Sequence, residues 1–258
     1  MMTTAYPILE YDPTPLAMLE PSQVLNRIEL PEHCVLCFFS DVIAEVCAEA
    51  KVVFETVSEI GINPIYLLDV PSSDNQTVQI AVLHPGVGAP LSAAFLEEVI
   101  ALGCTKFIAC GGAGVLNKAL ALGHLVIPSS AVRDEGTSYH YLPPAREVSA
   151  SAEGIAAIEA TLQRHEVPYV IGKTWTTDAI YRETPNKVAQ RKAEGCITVE
   201  MEAAAFFAVA QFRGVTFAQI LYGGDDLSGD EWDHRNWHRQ ASIREKLFWL
   251  AAEAVTRL

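Results

Sequence analysis

Carboxylates beside an apolar helix are the clearest chemical feature of the sequence. Glu200 and Glu202 flank Met201, where the short apolar run CITVE meets the helix-forming run AAAFFAVA. Acidic side chains are seldom fully buried without a partner, so two of them at this boundary could bind polar groups of a ligand. The alternative is electrostatic, because glutamates in the first turn of a helix compensate its dipole. Spacing alone leaves both interpretations open.

Three glycine-rich segments each follow an apolar run that is typical of a strand. They span residues 84–92, 111–114 and 223–226. In open α/β sheets, ligands bind beyond the carboxyl ends of strands, where turns into helices expose backbone N–H groups. One glycine turn is explained by sterics alone, whereas three at one sheet edge predict a binding site. None has the spacing of a triphosphate-binding or dinucleotide-binding motif.

An acidic segment at residues 225–233 offers a rival chemistry. His234 and His238 follow it four residues apart, which is a good spacing for metal ligands on a helix. Acidic segments of this kind are more often solvated loops and helix caps. We therefore expect no metal ion.

The elements that must position these residues alternate between strand-like and helix-like runs. Strand-like runs such as CVLCFF, TKFIAC and VTFAQIL are interleaved with amphipathic or apolar helical runs such as LSAAFLEEVIAL. This alternation predicts an α/β protein with helices layered on a central sheet that contains parallel strands. We expect one domain over residues 34–258. Residues 1–33 contain five prolines and predict an extended arm that lies on the body or on a neighbouring subunit.

The charge balance restricts the partners. The chain has 258 residues, with 18 Lys+Arg against 32 Asp+Glu and a formal net charge of −14. Nucleic acids and anionic membrane surfaces demand clustered basic residues, so neither is expected as a partner. No apolar run reaches the roughly 18 residues of a membrane span, and the first residues lack the pattern of a secretory signal. We expect a soluble, cytoplasmic protein.

Six cysteines include one pair with the spacing of a redox or zinc motif, Cys34 and Cys37. This pair lies in a strand-like run, where residues three apart point to opposite faces. The six are therefore predicted to be buried structural thiols in a reducing compartment.

Four segments together resemble one family. ACGGAGVL (109–116), VRDEGTSYHY (132–141), VEMEAAAFFAVA (199–210) and GGDD (223–226) resemble, in order and spacing, the nucleoside phosphorylase/nucleosidase superfamily. The resemblance covers roughly residues 34–258. It implies a three-layer α/β/α fold with a twisted, partly closed mixed central sheet, and homodimers or larger homo-oligomers. It also implies cleavage of the N-glycosidic bond of a nucleoside, with no cofactor and with phosphate open as a co-substrate.

The resemblance assigns roles to residues near the carboxylates. Glu202 matches the glutamate that binds the ribose hydroxyls, Met201 matches a residue packed on the sugar, and Glu200 matches a neighbouring acid near the pocket. Asp225 matches the aspartate with which purine-type members hold the base, so a purine-like base is expected. Asp226 takes that place if the register differs by one, and a helix N-cap is the structural alternative for Asp225.

The departures from the family concern phosphate. The positions where phosphorylases hold phosphate carry no arginine in this chain, and they are occupied by Ser40, Ala44, Ala109 and Gly112. Arg133 or Arg182 could reach in from elsewhere. Glu45 falls where hydrolytic members carry the glutamate that activates water. We therefore expect hydrolysis rather than phosphorolysis, although Glu45 could equally be a solvated helix residue.

Further substrate contacts follow from the same resemblance. Glycine backbone N–H groups at Gly88, Gly111 and Gly112 are expected to face the substrate. The segment over residues 132–141 supplies the aromatic and polar edges of Tyr139, His140 and Tyr141. The loop at residues 175–183 places Tyr181 as a stacking residue, with Arg182 and Glu183 beside the base or a partner. A protein that binds a nucleoside without turning it over remains the alternative of a different class.

Overall fold

The computed structural model describes residues 4–26, 28–59, 61–72 and 76–258, and within that part ten strands form one mixed sheet. The strands are β1 (His33–Cys37), β2 (Lys51–Ser58), β3 (Gly61–Pro71), β4 (Thr77–Leu83), β5 (Lys106–Val115), β6 (Leu125–Asp134), β7 (Glu147–Ser149), β8 (Tyr169–Thr177), β9 (Cys196–Glu200) and β10 (Thr216–Asp226).

Seven α-helices lie between and after these strands in the described part of the chain. They are α1 (Pro21–Val24), α2 (Ser40–Val46), α3 (Ala89–Leu102), α4 (Ala152–Arg164), α5 (Pro185–Ala193), α6 (Ala203–Arg213) and α7 (Ala241–Val255). Short 3₁₀ turns occur at Pro7–Leu9, Thr137–His140, Ile180–Arg182 and Trp237–Arg239.

Five of the strands close into a barrel-like ring. β5 pairs with β10, β10 with β6, β6 with β8, β8 with β9, and β9 returns to β5. The β5–β9 and β10–β6 pairs are antiparallel, and the other three are parallel. From β5 the sheet continues outward through β1, β4, β3 and β2. This arrangement confirms the predicted mixed and partly closed sheet.

Helices cover both faces of the sheet. One apolar core joins residues of α2, α4 and α7 to the sheet, and a second core joins α3 and α6 to the opposite face. In the second core, the rings of Phe206 on α6 and Phe217 on β10 stack with their centroids 4.8 Å apart. The predicted three-layer α/β/α arrangement is therefore confirmed, with α6 fixed directly against β10.

Two of the three predicted glycine turns are strand instead. Residues 111–114 continue β5, and residues 223–226 continue β10. The two strands run in parallel register past their glycines, with Leu221 opposite Gly111 and Tyr222 opposite Gly112. A Cβ atom on Gly112 would lie 3.1 Å from Cε1 of Tyr222. Glycine is needed here for close packing between strands rather than for a turn.

The third glycine segment does form a turn into a helix. Gly88 precedes α3 as its N-cap, with a φ of 89°, a conformation that glycine adopts without steric cost. Its N–H is directed away from the helix that it begins and donates to the carboxyl group of Glu202, at the start of α6.

The described segment before β1 contacts the rest of the chain through an ion pair and through apolar packing. Arg213 at the end of α6 lies 3.1 Å from an oxygen of Glu20 and 2.7 Å from an oxygen of Glu97 on α3.

All six cysteines are free and buried, which confirms their prediction as core thiols. Across the described residues, no helix has both the length and the apolar character that crossing a membrane requires.

Close packing of α4 on β10 generates a prediction about stability. A Cβ atom on Gly154 would lie 2.7 Å from Cβ of Ala218 and 3.2 Å from its backbone nitrogen. Helix propensity alone would make Gly154→Ala stabilising by up to about 1 kcal/mol. Because the strand backbone cannot yield, we expect a loss of about 1–3 kcal/mol in the free energy of unfolding, measured with urea.

The exposed position Ala156 on the same helix supplies the control. Ala156→Gly should cost about 1 kcal/mol from propensity alone. A Gly154→Ala variant more stable than the parent chain would show that α4 does not pack closely on β10 at this position.

Candidate active site

A cavity of about 260 Å³ opens where several strands end. The segment after β1, the last residues of β5, the end of β9 and the end of β10 all contribute to its wall, and α7 reaches it from the side. Its polar and aromatic lining residues include Phe39, Glu183, Glu202, Gln219, Asp225 and Arg244. The cavity thus lies at the carboxyl ends of parallel strands, which is where ligands bind in open α/β sheets.

Glu202 is held in place by a loop that is distant in sequence. The Gly88 N–H donates to Oε1 of Glu202 over 2.7 Å, and the Met201 N–H donates to Oε2 over 3.3 Å. Only 6% of Glu202 is exposed, although it stands at the start of α6 on the cavity wall with Met201 beside it. The turn before α3 therefore fixes the carboxylate that lines the cavity.

Glu200 has a different function in the fold. Its Oε2 accepts hydrogen bonds from the N–H groups of Glu202 and Ala203 over 2.7 and 2.6 Å, and its Oε1 accepts from Oγ1 of Thr176 over 2.6 Å. These N–H groups belong to the start of α6, where no earlier turn supplies acceptors. Glu200 therefore compensates the dipole at the start of α6, which is the electrostatic alternative that the sequence offered. The carboxylate of Glu202 lines the cavity.

Both carboxyl groups hold protons unusually tightly. Burial raises the pKa of Glu200 to about 7, against the effect of its hydrogen bonds. Burial also raises the pKa of Glu202 to about 8, and the nearby charge of Glu200 adds to the rise. Glu202 is therefore largely protonated at neutral pH, and a cationic ligand or one that donates strong hydrogen bonds would favour its charged form.

Asp225 and Glu183 bring two more acids to the same cavity. Oδ2 of Asp225 accepts a hydrogen bond from Nε1 of Trp232 over 2.6 Å. Burial raises the pKa of Glu183 to about 7, and the charge of Asp225 contributes. Asp226, the alternative in the sequence, pairs instead with Arg235 and accepts from the Ser228 N–H, so it does not line the cavity.

Arg244 reaches the cavity from α7, a helix with no recognisable motif. Its Nη1 donates to Oδ2 of Asp41 over 2.8 Å, and its guanidinium lies 4.5 Å from the ring centre of Phe39. Its Nε is buried and has no hydrogen-bond partner among the described residues. A buried donor without an acceptor costs about 1–3 kcal/mol, and within the described residues no hydrogen bond offsets that cost.

Gln219 is a second polar group at the cavity that the sequence motifs do not indicate. It lies in β10, where only 1% of its surface is exposed, and it lines the cavity. Its Oε1 has no hydrogen-bond partner within the described ranges. A signal was nevertheless present in the sequence, because a glutamine in the middle of the apolar run FAQIL is unusual.

Several predicted site residues lie elsewhere. Glu45 is exposed on α2 and is not part of the cavity wall, so its position is that of a solvated helix residue. Tyr181 is 95% exposed and Arg182 is also exposed, because the 3₁₀ turn carries both side chains outward. From that turn, Ile180 and Glu183 line the cavity instead.

The segment over residues 132–141 also lies apart from the cavity. The hydroxyl of Tyr139 donates to the carbonyl of Arg133, and the guanidinium of Arg133 lies 4.3 Å from the centre of the Tyr139 ring. Arg133 is further engaged by Oγ of Ser138 and by carbonyls of the following loop. His140 is exposed. Gly111, in turn, packs on Phe38, whose Cδ2 would be 3.0 Å from an added Cβ.

Comparison with known proteins identifies the family. The model of the phosphorylase superfamily matches residues 32–255. The chain belongs to the phosphorylase superfamily. Its members are enzymes that act on nucleosides, which agrees with the resemblance seen in the sequence.

Individual relatives in this superfamily are distant. The chain is 24% identical over 224 residues to a guanosine phosphorylase of Halorubrum lacusprofundi, covering 84% of this chain and 89% of that protein. It is 31% identical over 151 residues to a uridine phosphorylase of Thermococcus kodakarensis, covering 54% of each chain.

Solved structures support the fold at still lower identity. A uridine phosphorylase from Vibrio fischeri superimposes with a TM-score of 0.73 at 22% identity, covering 89% of this chain and 94% of that one. An AMP nucleosidase from Bacteroides thetaiotaomicron gives a TM-score of 0.70 at 19% identity, covering 90% of each chain. Identities this low establish the shared fold and no more.

The acidic segment near Asp225 offers no metal site in the described part of the chain. No group of three or more histidine, cysteine or acidic side chains there is arranged to hold an ion. Asp225 is bonded to Trp232 rather than to its acidic neighbours, and the side chain of His238 lies outside the described residues.

The raised pKa of Glu202 generates a prediction about pH. Between about pH 5 and 8 the folded chain binds a proton at Glu202 that the unfolded chain has lost, so stability falls as pH rises. Glu202→Gln removes this titration. The variant should gain on the order of 1–3 kcal/mol relative to the parent between pH 5 and pH 8, measured by urea unfolding at each pH.

Glu45→Gln is the matched control, because this glutamate is exposed on α2. Its stability should follow the parent curve across the same pH range. Parallel curves for Glu202→Gln and the parent would contradict the assigned burial of Glu202.

Proposed function

We propose that this chain cleaves the N-glycosidic bond of a purine-like nucleoside. The supporting observation is that Glu202 and Asp225, from the ends of β9 and β10, line one cavity in a member of the phosphorylase superfamily. The two acids serve the two halves of a nucleoside. Glu202 is assigned to the sugar and Asp225 to the base.

The sugar half depends on Glu202. Its carboxylate can accept hydrogen bonds from two vicinal ribose hydroxyls, while Met201 packs on the ring. As the bond to the base breaks, positive charge develops on the ribose. A carboxylate fixed by the Gly88 N–H is already oriented toward that charge, so it stabilises the transition state more than the ground state.

On the side of the base, cleavage requires that the leaving base be protonated. When the bond between C1′ and the base nitrogen breaks, its electron pair stays on the base, which then takes up a proton at a ring nitrogen. Asp225 is oriented by Trp232, and Glu183 beside it holds its own proton up to about pH 7. An acid at this position suits a purine, and the relative named guanosine phosphorylase points the same way.

The remaining question is whether water or phosphate attacks C1′. The sequence favours hydrolysis partly because of Glu45. That argument no longer applies, because the Glu45 side chain is exposed and does not line the cavity. The acids of the cavity wall favour water over a phosphate dianion where they are ionised, which for Glu183 and Glu202 means above about pH 7 and 8. The positive charge of Arg244, by contrast, favours an anion as the second reactant in the cavity. Both reactions release the free base, so base release is the common test.

A panel of purine and pyrimidine nucleosides tests the proposal, with the released base separated by chromatography. We expect purine nucleosides to be cleaved faster than pyrimidine nucleosides, because a purine leaves with a protonated ring nitrogen from which the Asp225 carboxylate can accept a hydrogen bond. Asp225→Asn should lower kcat/KM for the purine substrate by about 100-fold or more.

Asp230→Asn, at an exposed residue of the following loop, is the control and should retain parent activity. Binding of nucleosides without release of any base, in the parent chain, would instead show a binding protein. Equal rates in Asp225→Asn and the parent would remove Asp225 from the reaction.

The protonation of Glu183 predicts a pH profile. In the parent chain kcat/KM should fall as pH rises above about 7, because Glu183 then loses the proton that it can supply near the base. Glu183→Gln should lower activity at pH 6 by about tenfold or more and should flatten this alkaline decline.

Glu231→Gln, at an exposed acid of the neighbouring loop, should preserve the parent profile. An unchanged alkaline decline in Glu183→Gln would assign the titration to another group.

A further inference from the structure

We propose that Thr176 is a positioning residue, which leaves the carboxyl group of Glu202 free to bind the sugar of the substrate. This inference rests on the proposed function, because it explains how the fold holds the group that is assigned to the ribose. Thr176 lies near the end of β8, outside the four segments that carry the family resemblance, and it is not part of the cavity wall.

The first residue of α6 does not cap its own helix. Glu202 occupies the N-cap position, where a side chain commonly accepts a hydrogen bond from the second or third N–H of the helix. The Glu202 side chain makes no such bond. Its Oε1 accepts instead from the N–H of Gly88, which is 114 residues away in sequence. The carboxyl group at the cavity is therefore not used to begin the helix.

Two other side chains accept the N–H groups at the start of α6. Oε2 of Glu200 accepts from the N–H groups of Glu202 and Ala203 over 2.7 and 2.6 Å. Oγ1 of Thr176 accepts from the next N–H, that of Ala204, over 2.9 Å. The first N–H groups of a helix have no acceptor within it, so a cap must come from outside. Glu200 and Thr176 supply this cap in place of Glu202.

Thr176 also joins the two parts of this cap. It lies directly opposite Glu200 in the parallel register of β8 and β9, and its hydroxyl donates to Oε1 of Glu200 over 2.6 Å. A hydroxyl has one proton and two lone pairs, so it can donate to Glu200 and accept from Ala204 at the same time. Thr174 lies 3.5 Å from the same carboxyl oxygen, a distance at the limit of a hydrogen bond. Thr176 is therefore the hydroxyl that fixes Glu200.

The surroundings make this hydroxyl hard to replace. Thr176 is fully buried and Glu200 is nearly so, which leaves water little access to either. Burial raises the pKa of Glu200 to about 7, and the hydrogen bond from Thr176 opposes that rise. Without the hydroxyl, Glu200 would keep its proton to higher pH, and a protonated carboxyl has less capacity to accept from the start of α6.

Loss of the hydroxyl would place Glu202 in competition with itself. The Ala204 N–H would lack its acceptor, and Ala204 is the second residue of α6, which an N-cap side chain can reach. A Glu202 side chain that turned to cap its own helix would leave Gly88 and could not accept hydrogen bonds from ribose. Thr176 thus prevents a local use of Glu202 that is incompatible with substrate binding.

The variant Thr176→Val tests this role, because it exchanges the hydroxyl for a methyl group. The matched control is Thr198→Val. Thr198 is equally buried on β9, and its Oγ1 has no hydrogen-bond partner among the described residues. Thr176→Ser keeps the hydroxyl and serves as the rescue. Should Thr176→Val not fold, Thr176→Cys, whose thiol is only a weak hydrogen-bonding group, takes its place.

Each protein is assayed for base release from a purine ribonucleoside and from its 2′,3′-dideoxy analogue. The analogue lacks both hydroxyls that Glu202 is proposed to bind, so it does not report on the position of that carboxyl. The melting temperature is measured without ligand and with each nucleoside. The values without ligand report the stability of each variant, and the ligand-induced rise reports binding whether or not the base is released.

We expect Thr176→Val to lower kcat/KM for the ribonucleoside by about tenfold or more, which is the loss expected when a hydrogen-bonded charged group is misplaced. The value for the dideoxy analogue should change by less than about threefold. The rise in melting temperature should shrink for the ribonucleoside only. Thr176→Ser should recover most of the loss, and Thr198→Val should match the parent with both compounds.

The outcomes separate this proposal from the proposed function. Equal losses with both compounds in Thr176→Val would assign Thr176 a purely structural role, and no loss with either would show that it does not act on Glu202. Both results overturn the proposal and leave glycosidic cleavage intact. Absence of base release in the parent would contradict the proposed function, while the ligand-induced melting shifts would still decide the role of Thr176. A parent chain whose melting temperature neither nucleoside raises would contradict both.

Discussion

The hydrogen bond from the Gly88 N–H to Glu202 joins the two halves of the molecule that make the cavity. Gly88 begins α3 on the outer part of the sheet, and Glu202 begins α6 at the rim of the barrel-like ring. Burying that carboxyl costs free energy, as the rise of its pKa to about 8 records. Under the proposed function, the ribose hydroxyls supply the remaining partners of this carboxyl. A carboxyl with its full set of protein donors would stabilise the chain better and, on that proposal, bind ribose worse.

The alternation of elements could be predicted from the apolar pattern, whereas the partial closure of the sheet was expected only from the family resemblance. Apolar runs indicate local strand and helix formation, whereas the pairing of β9 with β5 and of β10 with β6 joins segments far apart in the chain. The same limit explains why residues 111–114 and 223–226 were wrongly predicted to be turns. A glycine that permits a turn and a glycine that permits two strands to approach look identical in one dimension, and only the neighbour across the sheet distinguishes Gly112 from Gly88.

The site shows a similar division between local and non-local information. Glu200, Met201 and Glu202 could be predicted because three consecutive residues and the following helix contain the whole pattern. Arg244 could not, because its position depends on α7 returning across the end of β1, and nothing near it in sequence indicates a ligand. Glu45 is the converse case. The resemblance aligns it with the glutamate that activates water in hydrolytic members, but in the structure it is exposed on α2.

The acidic composition of the chain has a different meaning inside the cavity than at the surface. A net charge of −14 is spread over the surface, where water and salt screen it, and it says little about a small buried volume. Inside the cavity the carboxyls of Glu183 and Glu202 are partly neutral near pH 7, because burial raises their pKa values. A protonated acid does not repel an anion. Arg244 carries the one permanent positive charge on the described wall, and its ion-pair partner Asp41 is 52% exposed, so the charge that acts within the cavity is not the one that the overall composition suggests.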